Sequence, residues 1–217
     1  MEEITSWLVG YVPGLLWLWW ILGKDTKEPE PLPFVFTTYA LGAVAALVWM
    51  RIRAVIEASW DGAHAPMLDI FVVTAAGEEI AKLVAFLPAF LNEENDEPMD
   101  SVVYASAAAL GFGSLENLLW IQVTGQPTVA LERAFTSMLV HVSCTATLGY
   151  WLGLARSRGG RFRAWIAAAA AIAAIASHGL FDLLVSIGER SAPLALLGLL
   201  PVMLVALSLQ IRHAQRG

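Results

Sequence analysis

Ionisable side chains recur where this chain is otherwise apolar, and their types suit the activation of water. Glu78 and Glu79 interrupt the run from Met67 to Leu91, and Glu116 interrupts the run from Val102 to Trp120. His141 lies between Leu131 and Leu154, and His178, with Asp182 one turn later, lies between Trp165 and Ile187. A charge at the centre of a bilayer costs roughly 2.5–3.5 kcal/mol even on the gentlest scale. A chain that accepts that cost in four successive runs is building a polar site between its helices. Carboxylates and imidazoles pass protons at positioned sites, and they also supply oxygen and nitrogen ligands for zinc.

The spacings narrow the chemistry. In Glu78-Glu79-x-x-Lys82, the lysine is one helical turn from both carboxylates and can face either. Two adjacent carboxylates in a low dielectric cannot both carry charge cheaply unless a cation or a metal is close. Asp182 is placed to orient His178 through a ring N–H or to contact a reacting group. Phe112, one turn before Glu116, can shield it, and Asn117 stands beside it. Ala105, Ala109, Gly113 and Asn117 form a stripe of small residues that admits another helix closely. Cys144 shares a face with Ser137, His141 and Thr145, with nothing nearby to stabilise a thiolate. The sequence contains no HExxH, GxSxG, P-loop or dinucleotide fingerprint, which excludes zincin-type helices and nucleotide chemistry.

The elements that must position these groups are membrane spans. The 217 residues are 58% hydrophobic and only 15% charged, against about 45–50% and about 25% in soluble domains, and the mean hydropathy is +0.64. The fold class is all-α, a polytopic membrane bundle of about seven transmembrane helices, read as one domain over 1–217 with its catalytic helices over about 67–187. The spans run roughly over 4–23, 33–51, 67–91, 101–123, 131–155, 163–187 and 193–211. Trp7, Trp17, Trp19, Trp20, Trp49, Trp60, Trp120 and Trp165 fall near span ends, as an interfacial belt requires. Connectors carry Pro29, Pro31, Pro66, Pro98, Gly159 and Gly160. The N-terminus lacks a basic start and a small-residue cleavage site, so the first helix is expected to be retained. One cysteine precludes an intrachain disulfide, and no basic cluster interleaved with aromatics points to nucleic acid.

Lysine and arginine set orientation. Lys24, Lys27, Arg156, Arg158, Arg161, Arg163, Arg212 and Arg216 collect on one side, and Arg51, Arg53, Arg133 and Arg190 on the other. This predicts a multi-pass protein of the cell membrane with its N-terminus outside and its C-terminus cytoplasmic. The four polar positions then lie roughly 10–18 Å below the outer surface at 1.5 Å per residue, which predicts one shared site. A non-enzymatic transporter or ion-binding protein is the alternative. It would need polar residues continuing to both surfaces, whereas the inner halves of the third to sixth spans are apolar and small.

Taken in order, Glu78-Glu79-x-x-Lys82, Phe112-x-x-x-Glu116-Asn117, His141 and His178-x-x-x-Asp182 resemble the PrsW family of intramembrane proteases, related to the type II CAAX prenyl endopeptidases. Asp25-x-x-Glu28-Pro29-Glu30-Pro31 looks like the acidic-proline segment that follows the first helix in that family. Glu116 stands where CAAX endopeptidases usually carry a histidine, and Lys82 where they carry an arginine, so prenylated substrates are not expected. The resemblance implies cleavage of a membrane-anchored protein, such as an anti-sigma factor, near the outer face of the bilayer. Glu78 or Glu79 is expected to activate water, with Lys82 keeping one of the pair ionised. His141 and Glu116 position the water or bind a metal, and His178 and Asp182 stabilise the oxyanion. The metal set would be Glu79, Glu116, His141 and His178, holding zinc or another divalent ion. The same residues would also serve a metal-free glutamate mechanism. Catalysis is thus expected from Glu78, Glu79, Glu116, His141, His178 and Asp182, supported by Lys82, Asn117 and Phe112.

Overall fold

A computed structural model describes residues 2–59, 66–158, 162–188 and 190–216, leaving Trp60, Gly159, Gly160 and Arg161 outside the described residues. Among the described residues every regular element is a helix. Its elements are α1 (Glu2–Leu22), α2 (Leu32–Ser59), α3 (Pro66–Leu68), a π-helical segment (Asp69–Ala76), α4 (Gly77–Phe90), α5 (Pro98–Thr124), α6 (Pro127–Ala134), α7 (Ser137–Arg158), α8 (Phe162–Ser186), a second π-helical segment (Leu194–Leu199) and α9 (Leu200–Ala214).

Six stretches of the described residues are long and apolar enough to cross a membrane. The third expected span, over 67–91, is not among these six and runs through α3, the first π-helical segment and α4 without a break. It is also the span that carries Glu78, Glu79 and Lys82, whose charge lowers its hydropathy. π-helical turns occur frequently at functional sites, and this one ends immediately before Glu78. There Phe71 packs against α8 so closely that a Cβ on Gly179, next to His178, would lie 2.5 Å from its ring.

The central element is α5. Residues 99–114 are all buried, and the run Ala105, Ser106, Ala107, Ala108, Ala109 explains why: small side chains allow neighbouring helices to close on every face. The crossing with α2 is closest at two glycines. A Cβ on Gly111 would lie 1.8 Å from the Tyr39 carbonyl oxygen, and one on Gly42 would lie 2.1 Å from that of Ala108. Helix α5 opens with Pro98 at its first position and Asp100 accepting from the backbone N–H of Glu97 at 2.6 Å. It ends at Gly125, whose φ of 68° is the left-handed cap conformation. The peripheral helices expose Trp19, Val44, Ile172 and Leu197, which a lipid environment covers.

The fifth expected span differs in detail. Its first residues form the separate short helix α6, packed against α1 and α5, and the spanning helix α7 begins only at Ser137. This turn brings Arg133 inward, against α5.

Contacts between helix ends agree with the loop-charge grouping. Gln215 donates to the Lys24 carbonyl at 2.5 Å, and Arg156 reaches the carbonyls of Phe90 and Asn92. At the opposite end Arg53 lies 4.0 Å from Asp69.

Candidate active site and metal centre

Four helices deliver the polar residues to one place. Helix α4 presents Glu78, Glu79 and Lys82 from its first turns; α5 presents Glu116; α7 presents His141; and α8 presents His178 and Asp182. Glu78, Glu79, Lys82, His141 and His178 are all buried. Asn117 and Phe112 flank this group on α5, and both are buried as well.

The two glutamates have different surroundings. Glu79 is fully engaged: Oε1 accepts from Lys82 Nζ at 2.6 Å and from His178 Nδ1 at 2.9 Å, and Oε2 accepts from Thr145 Oγ1 at 2.9 Å. Glu78 Oε2 is buried with no hydrogen-bond partner. It faces His141 Nδ1 at 3.8 Å and His178 Nε2 at 3.7 Å. Helical geometry alone allowed Lys82 to face either carboxylate, and in the fold its ammonium goes to Glu79.

Each histidine is oriented by a carboxylate at its far nitrogen. His178 donates Nδ1–H to Glu79, which leaves the Nε2 lone pair free. His141 donates Nε2–H to Glu116 Oε2 at 2.8 Å, which leaves the Nδ1 lone pair, 2.9 Å from Lys82 Nζ. The rings stand edge to face, with centroids 5.1 Å apart. Phe112 closes the site beneath them, its centroid 5.7 Å from that of His141 and 5.1 Å from Lys82 Nζ. Asp182 Oδ2 is 3.5 Å from His178 Nε2, and its side chain is 32% exposed, the wettest carboxylate of the group.

These donors fit a divalent metal. Ligand atoms of Glu78, His141 and His178 lie within 4.8 Å of one another. Two imidazoles and one carboxylate form a catalytic zinc set, and histidine ligands characteristically donate their other N–H to a carboxylate. The unpartnered Glu78 Oε2 is the acceptor such an ion would satisfy. Coordination at His141 Nδ1 requires Lys82 to release it, and Glu79 holds the ammonium without that contact. Of the expected ligand set of Glu79, Glu116, His141 and His178, the two histidines turn a nitrogen toward Glu78, while Glu79 and Glu116 lie at their far nitrogens.

Several residues were missed by the sequence reading. Arg133 enters only as a loop charge there, yet its Nη2 lies 2.8 Å from Glu116 Oε2 and its Nε donates to Asn117 Oδ1 at 2.9 Å. Thr145 enters only as a face-sharer of His141. Trp49 and Trp120, read as interfacial, wall a cleft of about 250 Å³ between α2 and α5 with Glu78 and Glu116 among its lining residues. Trp49 lies so close to Gly77 that a Cβ there would be 1.9 Å from the indole ring. The cleft leaves the bundle at the Arg53 and Val123 end. Asp182 does not line it.

Residues 30–209 match the PrsW family intramembrane metalloprotease. The chain belongs to the PrsW family. It is 31% identical to Protease PrsW of Geobacillus kaustophilus (strain HTA426), over 83% of this chain and 80% of that protein. It is 27% identical to Protease PrsW of Clostridioides difficile (strain 630), over 90% of this chain and 85% of that protein. It is also 27% identical to Protease PrsW of Bacillus subtilis (strain 168), over 82% and 81%. No solved structure matches it. This PrsW-family chain is a membrane-embedded protease, and the ion-path reading gives way to hydrolysis. The metalloprotease description agrees with the donor set of Glu78, His141 and His178.

A second carboxylate group sits at the other end of α5, where the acidic-proline segment folds back. Oxygens of Asp25, Glu30 and Asp100 lie within 4.8 Å of one another, and Tyr104 donates to Glu30. Burial pushes the Asp25 carboxyl up to about 6. Burial, reinforced by Asp100 and Asp25, pushes that of Glu30 up to about 8 even against the Tyr104 hydrogen bond.

Proposed function

We propose that this chain is an endopeptidase that hydrolyses a peptide bond of a membrane-anchored protein, such as a single-span anti-sigma factor, near the outer face of the membrane. The observation that carries the reading is Glu78 Oε2, buried without a partner and facing two histidine nitrogens whose far nitrogens are tied to carboxylates. Glu78, His141 and His178 would hold the metal. A bound divalent ion such as zinc polarises the scissile carbonyl and makes water a stronger acid.

The protein groups divide the remaining work. Asp182, about one-third exposed and beside His178 Nε2, accepts the proton of the attacking water and returns it to the leaving amine. Glu79 fixes the His178 ring, and Lys82 keeps Glu79 charged. Phe112 and the small residues of α5 exclude water from the inner half of the bundle. The substrate chain enters by the cleft between Trp49 and Trp120. The loop charges support an outside N-terminus and a cytoplasmic C-terminus, and in that orientation the cleft, at the end away from Lys24, Arg156 and Arg212, opens on the outer side.

Elemental analysis of purified protein, paired with cleavage of a co-expressed single-span reporter, tests this. Wild type should carry a stoichiometric divalent ion. Glu78→Gln should lose both the ion and cleavage, whereas Asp182→Asn should keep the ion and lose cleavage. Full activity in metal-free protein would overturn the metal reading, and full activity in Asp182→Asn would remove it as the base.

A further inference from the structure

Arg133 sits at the last turn of α6, outside every motif that marks the site, yet its guanidinium reaches Glu116, Asn117 and Ser137. Its Nη2 lies 2.8 Å from Glu116 Oε2 and donates to Ser137 Oγ at 3.0 Å, and its Nε donates to Asn117 Oδ1 at 2.9 Å. The guanidinium also lies over the Trp120 ring, 5.3 Å from its centroid. A planar, rigid fork of donors can satisfy acceptors on two helices at once, which a lysine cannot do.

The oxygen it grips is the one that orients a histidine. Glu116 Oε2 accepts from both Arg133 and His141 Nε2, each at 2.8 Å. Its other oxygen accepts from Trp120 Nε1 at 3.3 Å, so the carboxylate plane is fixed from both sides. A competing acceptor stands nearby: Ser137 Oγ is 3.4 Å from the same Nε2. Arg133 donates to that hydroxyl as well, occupying one of its lone pairs. Without the arginine, the carboxylate is free to rotate, Ser137 gains access to the imidazole N–H, and the ring loses its single preferred orientation. We propose that Arg133 is a positioning residue for the metal centre: by clamping Glu116 it holds His141 with Nε2–H toward the carboxylate and Nδ1 toward Glu78 and His178.

This inference rests on the metal reading above, and its test separates the two. Co²⁺ and Zn²⁺ affinities are measured on purified protein in detergent by competition with a chromophoric chelator, alongside the melting temperature of the metal-free protein. Outer-shell partners of metal-bound histidines are typically worth about 10–100-fold in affinity, and Arg133→Gln should weaken binding by that factor. Arg133→Lys should fall between it and wild type, because it keeps the charge beside Glu116 but loses the fork. Glu116→Gln should weaken binding comparably, and the double variant should be little worse than either single, since both act through His141. If Arg133→Gln does not accumulate, the Arg133→Lys and Glu116→Gln pair carries the same test. Unchanged affinity with a lowered melting temperature makes Arg133 merely structural and overturns the proposal. Wild type that binds neither ion sinks the metal reading, and this inference with it.

Discussion

Glu79 on α4 accepts a hydrogen bond at 2.9 Å from His178 Nδ1 on α8, across 99 residues of chain. The contact separates two adjacent glutamates that look equivalent in the sequence. Glu79 is consumed by structure, with three donors on its two oxygens, while its neighbour Glu78 keeps an oxygen free toward both histidines. One carboxylate organises the site and the other is available to it.

That division predicts how the buried pair responds to substitution. Breaking a buried ion pair by removing one partner costs about 3–5 kcal/mol, because the other charge is left uncompensated. Lys82 is 0% exposed and Glu79 2%, at 2.6 Å. Glu79→Gln and Lys82→Met should each lower the melting temperature strongly in detergent. The double variant should regain part of the loss. Strictly additive losses would show that the two side chains act independently.

Close helix crossings give a steric prediction. Gly111→Ala places a methyl 1.8 Å from a backbone carbonyl, which no side-chain rotation can relieve, so α2 and α5 must separate. Gly198→Ala meets nothing within 4 Å. The first should abolish accumulation of folded protein, measured by size-exclusion chromatography after detergent extraction, and the second should leave it unchanged. Folded Gly111→Ala at wild-type yield would mean that the crossing is looser than the contact distances indicate.

Much of this arrangement was legible in the sequence, for a physical reason. Charges inside apolar runs are expensive, so Glu78, Glu116, His141 and His178 advertised a shared site, and the small residues of α5 advertised its central position. What was not legible depended on the tertiary fold. Spacing cannot say which of Glu78 and Glu79 meets Lys82, because both lie one turn away. Arg133 looked like a topology charge, since nothing local announces that the chain turns at Phe135 and Thr136 and carries it inward. Trp49 and Trp120 fit an interfacial belt by position, and only the packing of Trp49 on Gly77 and of Arg133 on Trp120 makes them cleft walls.

Access to the cleft can be mapped chemically. Val123 lines its open end and is 80% exposed. In a Cys144→Ser background, Val123→Cys should react with a membrane-impermeant thiol reagent added outside intact cells, and a cysteine at Gln215 should react only after permeabilisation. The reverse pattern would invert the orientation and move cleavage to the cytoplasmic side.

The carboxylates at the other end of α5 predict a pH dependence of stability. A glutamate ordinarily loses its proton near 4.5, whereas Glu30 in the fold holds it up to about 8. Between those values the unfolded chain has released a proton that the folded chain retains, so stability falls as pH rises through this window and levels off above it. Asp25 contributes with the same sign over a lower window, from its ordinary 3.8 to about 6. The melting temperature in detergent should therefore decline between about pH 4.5 and pH 8. Glu30→Gln, which keeps an acceptor for Tyr104 without a charge to bury, should flatten that decline and leave the protein more stable than wild type above pH 8. A wild-type melting temperature that rises across the same range would mean that Glu30 is charged in the fold and that a cation neutralises it.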